Sequence, residues 1–259
     1  MVFYPCVQEK KINGLKEFSL FFDGALLELD EMTEQLEGSF NNLSSNIFLE
    51  RVVWDTEAEI KVDFEAKEID SLILGGGSFT EMDFNFSFEG FPVFIGENIE
   101  IVRKTTDSQG VSLDQKIFIF EFEKIKADRL ELKLKPEGRL NKLWVGKSLK
   151  ISNPTSVATP IINYSERLKN DKNIAVGVKR HLQRLLNISW DSLDDFEKRA
   201  IERYFEAVGT IKPHYIRVFN DDWQIPPMFG VLNTNQINFS KKRTNHFWDG
   251  ISLEFEEAR

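Results

Sequence analysis

The chain has 259 residues, 41% of them hydrophobic, with 23 Phe, a single Cys and a formal net charge of −9. That is enough apolar material for a sizeable core in one or two domains, and it excludes a disordered chain. The lone cysteine, Cys6, excludes an intrachain disulfide and a thiolate zinc cage, and the acidic balance argues against broad nucleic-acid binding, which needs a positive surface to meet phosphates.

No run approaches the roughly 18 consecutive apolar residues of a membrane helix, and Met1-Val2-Phe3-Tyr4-Pro5 has no basic region followed by an apolar one. The expectation is a soluble protein made inside a cell, without membrane insertion. Residues 1–40 read as an N-terminal arm or adaptor. They hold an apolar piece, Phe18-Ser19-Leu20-Phe21-Phe22, and an acidic segment in which Leu26, Leu29, Met32 and Leu36 recur at spacings of three and four, which predicts a helix over 25–36.

Residues 41–152 alternate as half-buried strands do. In Glu59-Ile60-Lys61-Val62-Asp63-Phe64 the apolar side chains take one parity and the charges the other. Phe84, Phe86 and Phe88 oppose Asp83, Asn85 and Ser87. Phe118, Phe120 and Phe122 share a face, and Leu130, Leu132 and Leu134 alternate with Arg129, Glu131, Lys133 and Lys135. Gly75-Gly76-Gly77-Ser78, Glu89-Gly90-Phe91-Pro92 and Pro136-Glu137-Gly138 supply turns. Short strands with regular breaks predict an antiparallel β-sandwich.

Beyond Ser152-Asn153-Pro154-Thr155-Ser156, residues 153–259 predict a second β-sandwich or barrel module with one flanking α-helix. The helix is expected over 192–208, with Ser192 as N-cap, Asp194 and Asp195 in the first turn, and an apolar stripe of Phe196, Ala200, Ile201, Tyr204, Phe205 and Val208. Gly209 suits its C-terminal cap. Strands are expected at Tyr215-Ile216-Arg217-Val218-Phe219, Phe229-Gly230-Val231-Leu232, Ile237-Asn238-Phe239 and around Ile251, Leu253 and Phe255, with a turn at Asn220-Asp221-Asp222. Trp248 and Phe255 read as packing anchors.

Little in this pattern carries chemistry. His181, His214 and His246 are widely spaced, and none has a second ligand in metal-binding register, so no metal or cofactor is expected. A Gly-x-Ser-x-Gly elbow is missing, and the glycines at 75–77 lead into no Gly-Lys-Ser/Thr phosphate cradle. With 42 Asp and Glu, a glycosidase pair has no distinguishing mark. An enzyme is not expected. The charge is uneven: residues 1–100 carry 6 Lys+Arg against 21 Asp+Glu, and the remainder 27 against 21. Such a split can steer unlike surfaces of two copies together, and it is equally what two solvated faces would show.

Four blocks in order, Asn42-Leu43, Glu68-Ile69-Asp70-Ser71-Leu72-Ile73-Leu74-Gly75-Gly76, Ala127-Asp128-Arg129-Leu130-Glu131-Leu132-Lys133-Leu134 and Gly138-Arg139-Leu140-Asn141-Lys142-Leu143-Trp144-Val145-Gly146, resemble the discoidin-like jelly-roll domain of bacteriophage tail proteins. The turn Gly209-Thr210-Ile211-Lys212-Pro213 after the helix, and a last strand ending in Glu, resemble the matching tail-tube-like region of the same proteins. The resemblance implies a structural part of a phage tail tip or baseplate in the virion. Copies would assemble in a ring by heterologous contacts and link tube, hub or tip proteins to host-facing ones. It also implies an alternative, a carbohydrate-binding module for a host surface glycan, for which Trp54, Phe79, Phe91 and the 105–110 loop are the candidate contacts. Trp54 and Trp144 read more simply as core residues.

Overall fold

The computed structural model describes residues 18–33, 37–44, 51–100, 117–163, 166–169, 175–178, 182–218, 225, 227–240 and 247–258. Cys6, Leu36, the 105–110 loop, His181, the 220–222 turn and His246 lie outside them. The chain divides into two units: residues 21–149 make up the described part of the first, and residues 18–20 and 150–258 that of the second. Both are mainly antiparallel β.

The strands of the first unit are β1 (Phe18–Gly24, from Phe21 on), β2 (Glu28–Met32), β3 (Val52–Trp54), β4 (Ala58–Gly75), β5 (Glu81–Phe88), β6 (Phe91–Glu100), β7 (Ile117–Lys135), β8 (Gly138–Leu140) and β9 (Lys142–Ile151), with a one-turn helix α1 (Phe40–Ser44). The long strands β4 and β7 run side by side from Ala58↔Leu134 to Gly75↔Ile117, with breaks in register between Asp63 and Lys67 and between Ile69 and Ser71. Register breaks of this kind bend a ladder, and here they let one ribbon serve two layers. The stretch Ala58–Asp63 with Arg129–Leu134 is flanked by β2 on one side and by β5 and β6 on the other. The stretch Ser71–Gly75 pairs on its other side with β9, next to which lies β1. Rings of β7 then meet rings of β5 and β6: Phe122 lies 5.4 Å from Phe86 and 4.8 Å from Phe94, centroid to centroid. The inward set is the one the alternation marks, with Ile60, Val62, Phe84, Phe86, Leu130, Leu132 and Leu134 all buried. Each such side chain contributes about 1.5–3 kcal/mol by leaving water. This is the antiparallel β-sandwich that the sequence predicts.

One element of this unit differs from expectation. Residues 28–32 form a strand rather than a helix, pairing Glu28 with Asp63 and Met32 with Ile60. The three- and four-residue spacing of Leu26, Leu29 and Met32 makes no apolar helix face, since Leu26 and Leu29 are exposed. Backbone pairing to the open side of β4 decides the conformation instead.

The second unit contains β10 (Ser156–Ala158), β11 (Ile161–Asn163), β12 (Glu166–Lys169), β13 (Ala175–Val178), β14 (Leu182–Ser189), β15 (Ser192–Leu193), α2 (Asp195–Val208), β16 (His214–Arg217), β17 (Met228–Leu232), β18 (Trp248–Asp249) and β19 (Ser252–Glu257). Its main sheet runs β10, β14, β19, β17, β16 and the first residues of β1, with β11 also on β14. The helix begins later than expected. Ser192 and Leu193 are extended because they pair with Asp249 and Trp248, and Asp194 is the N-cap. Its carboxylate accepts from the Glu197 N–H at 2.7 Å while the Glu197 carboxylate accepts from the Asp194 N–H at 3.0 Å, a reciprocal capping box. Gly209, at φ 56°, closes the helix as predicted. Ala200, Ile201, Tyr204 and Val208 are the buried stripe, whereas Phe196 is 71% exposed. Ile237-Asn238-Phe239 joins no ladder, and Asn233 N–H instead donates to the Glu254 carbonyl. Phe255 is fully buried against Phe18 and His214. Trp248 is half-buried, its indole N–H donating to Asp195 Oδ1 at 2.7 Å.

Candidate functional site

The outward parity of β4, β7, β5 and β6 builds a charged floor in two cross-strand rows. One row runs Lys61, Glu131, Asn85, Ile95 and the next runs Glu59, Lys133, Asp83, each side chain opposite its neighbour in the ladder. Above this floor stands a wall made by β6. The β5–β6 register breaks between Met82 and Phe84, and Asn98 on the extra stretch takes φ 52°, which brings residues 96–98 over the polar face. On the core side, Gly96 lets β6 lie close to the Phe84 ring: a Cβ there would stand 2.6 Å from it. Floor and wall enclose an open groove of about 330 Å³, at the small end of the volumes that hold small organic ligands.

The groove's charges are tied down. Lys133 Nζ meets Glu57 Oε1 at 2.8 Å and Glu59 Oε1 at 3.0 Å, and Lys61 pairs with Glu31. Lys135 holds Asp83 at 2.8 Å, and the Asn98 N–H donates to the same carboxylate at 2.7 Å. Lys135, first by its hydrogen bond, pulls the Asp83 carboxyl below the usual carboxylate range. Hydrogen bonds to Glu57 and Glu59 push Lys133 up, as that to Glu31 does Lys61, so both ammonium groups stay charged across the neutral range. Asn85 donates from Nδ2 to Glu131 at 3.2 Å, and its Oδ1 is buried with no partner. The arrangement can accept and donate hydrogen bonds beside the apolar side chain of Ile95. It offers no nucleophile with an adjacent base, and among the described residues no group of His, Cys, Asp and Glu could hold a metal ion.

The aromatic candidates lie elsewhere. Trp54 is 2% exposed and its indole N–H donates to the Pro136 carbonyl at 2.9 Å. Phe79 is fully buried against Phe118. Neither ring face is open to a sugar. Phe91 is 74% exposed at the β5–β6 turn, where Glu89 and Gly90 both have positive φ, but it does not line the groove. Trp144 is half-buried, edge-on to Phe21 at 5.9 Å. The groove residues Asp83, Asn85 and Glu131 appear in the sequence only as the wet parity of their strands. Which of them share a row depends on register, and alternation does not encode register.

His214, the one described histidine, sits beneath α2. Its Nδ1 faces the Lys212 carbonyl at 3.1 Å, so Nδ1–H donates there and Nε2 accepts from the Tyr204 hydroxyl at 2.7 Å. Burial pushes its pKa down to about 4 and pushes that of Tyr204 up. This is a neutral, satisfied interior histidine.

No protein-family model matches the chain, and no curated protein does. Solved structures with partial likeness include the carbohydrate-binding module CBM32-3 of a family 31 glycoside hydrolase from Clostridium perfringens, 14% identical over 47% of this chain and 94% of that one, at a TM-score of 0.37. A pectin-binding carbohydrate-binding module is 11% identical over 46% and 91%, at 0.33. Allantoicase from Saccharomyces cerevisiae is 14% identical over 46% of this chain and 39% of that one, also at 0.33. Likenesses this distant say nothing of ligands, and the groove's chemistry stands on its own residues.

Proposed function

We propose that this is a non-catalytic recognition protein whose first unit binds a carbohydrate in the β4–β7–β5–β6 groove. The observation that carries the reading is a concave groove that sets the hydrogen-bonding side chains of Asp83, Asn85 and Glu131 beside the apolar side chain of Ile95. A sugar presents the same combination, hydroxyl donors and acceptors around a C–H face. Immobilised glycans probed with the whole protein test it. Asn85→Ala is expected to weaken retention roughly fivefold, about 1 kcal/mol for one hydrogen bond, with the melting temperature unchanged. A protein that retains no glycan ends this reading.

A second reading, ring assembly with other tail proteins at a bacteriophage tail tip in the virion, is favoured by a different observation. The acidic first hundred residues contrast with a remainder of net positive charge, and the second unit exposes Phe196, Ile211 and Phe247. Sedimentation at low and high salt distinguishes the two. Salt-sensitive self-association supports assembly, and a monomer at every salt concentration, with or without tail partners, sinks it.

A further inference from the structure

Helix α2 buries Ala200, Ile201, Tyr204 and Val208 and turns Phe196, Arg199 and Arg203 outwards along one face. Phe196 is 71% exposed. Arg199 and Arg203 stand one turn apart, a like-charge spacing that costs a helix some stability. Among the described residues neither meets a carboxylate: Glu202 is taken by Lys198, and Glu206 on the same face pairs with neither. The outward stripe therefore runs apolar, basic, basic.

The edge of the first unit's sheet carries the complementary order. β6 is the last strand in the sheet, and its polar side presents Ile95 and Glu97 at alternate positions and then, past the bulge, Glu100. Both carboxylates are exposed and have no cationic partner among the described residues, and Glu100 lies directly opposite Glu81, a like-charge pair that weakens a ladder. This row runs apolar, acidic, acidic. Phe196 to Arg203 spans about 10 Å of helix and Ile95 to Glu100 about 16 Å of strand, a difference that long arginine side chains bridge.

We propose that α2 of one copy docks along β6 of a second copy, with Phe196 against Ile95 and with Arg199 and Arg203 on Glu97 and Glu100. This rests on the assembly reading and gives it an interface. The contact joins unlike surfaces, so a docked pair still offers one α2 face and one β6 edge, and further copies close a ring or extend a filament. Docking relieves both like-charge repulsions, but exposed ion pairs contribute little each and are screened by salt, so the association is weak and salt-sensitive. Ile95 and Glu97 also line the groove, so a docked copy and a sugar exclude one another there.

Sedimentation velocity of the whole protein across a concentration series, at low and high salt, tests the interface by charge exchange. The natural chain is expected to self-associate at low salt. Arg199→Glu with Arg203→Glu, and separately Glu97→Lys with Glu100→Lys, should each weaken self-association by at least about tenfold, because like charges then face one another. Mixing the two variants should restore association, since each then meets an opposite charge, and this recovery shows that both are folded. If the natural chain associates and the variants do so equally well, or if mixing restores nothing, this interface is overturned and the assembly reading stands. The same holds if the chain associates only when other tail proteins are added. A monomer at every salt concentration, alone and with tail proteins, overturns both.

Discussion

The outer face of β4, β7, β5 and β6 and the underside of α2 treat polar side chains in opposite ways. On the first, Lys61, Asp83, Glu131 and Lys133 stand in cross-strand rows at the water boundary, and their pairs are partly exposed. Under α2, His214 and Tyr204 are taken fully inside and given one another as partners. The lesson is one of availability. A polar group in the interior is committed to the fold because opening its hydrogen bond costs the whole desolvation penalty, while a row of screened ion pairs contributes little to stability and can give up its contacts to a ligand. In the reading proposed here the first surface is the one available for recognition, while the second holds the fold together.

The strongest way to break this contrast is through the first unit's own interior. Trp54→Ala should destabilise the protein by about 3–5 kcal/mol, as large-to-small changes at buried aromatic positions do, seen as a lower denaturant midpoint in urea unfolding. A variant of unchanged stability that loses only sugar affinity would return Trp54 to a binding role. The next test is acid. His214 has a folded-state pKa pushed down by burial from 6.5 to about 4, so the neutral ring is the form the fold accepts. The unfolded chain binds the proton first. Stability is therefore complete above about pH 6.5 and falls as pH drops towards 4, by about 3 kcal/mol. In His214→Gln that part of the slope should vanish from urea midpoints collected across the range. A slope that persists would mean another group is being charged. A smaller effect sharpens the contrast from the helix end: Asp194→Ala removes the cap and should cost about 1 kcal/mol. Amide exchange should report it as faster opening of α2 and no change in β5 and β7.

Much of this architecture is legible in the residues. The wet and dry parities of Glu59–Phe64, Asp83–Phe88 and Arg129–Lys135 translate directly into the two faces of the first sandwich, and Gly209 ends its helix where a left-handed residue is needed. Three features were hidden, each because a non-local contact outweighed a local signal. Residues 28–32 follow the open side of β4 rather than their own spacing. Ser192 is claimed by a bridge to Asp249, which hands the cap to Asp194. The groove exists only once Asn85 is set beside Glu131 and the bulged stretch of β6 is set above them. Aromatic residues drew attention to Trp54 and Phe79, which the hydrophobic effect puts inside, while the groove is built from side chains that look like ordinary solvated strand positions.

The bent ribbon of β4 and β7 also fixes where the gene can change length. Side chains alternate with a period of two, so adding or losing one residue in a paired stretch reverses every later side chain between core and solvent. Since the same two strands run through both layers, such a change within Ala58–Asp63 would misplace Ile60 and Val62 in one layer and, left uncorrected, Leu72 and Leu74 in the other. At the break over 63–67 β4 carries two residues more than β7, and at the break over 69–71 β7 carries two more than β4, so each absorbs a pair of residues and keeps the parity. Two-residue insertions, which keep the parity, should be tolerated there, and single-residue ones within Ala58–Asp63 should abolish folding, which makes the two bends the places where this sandwich can vary in length.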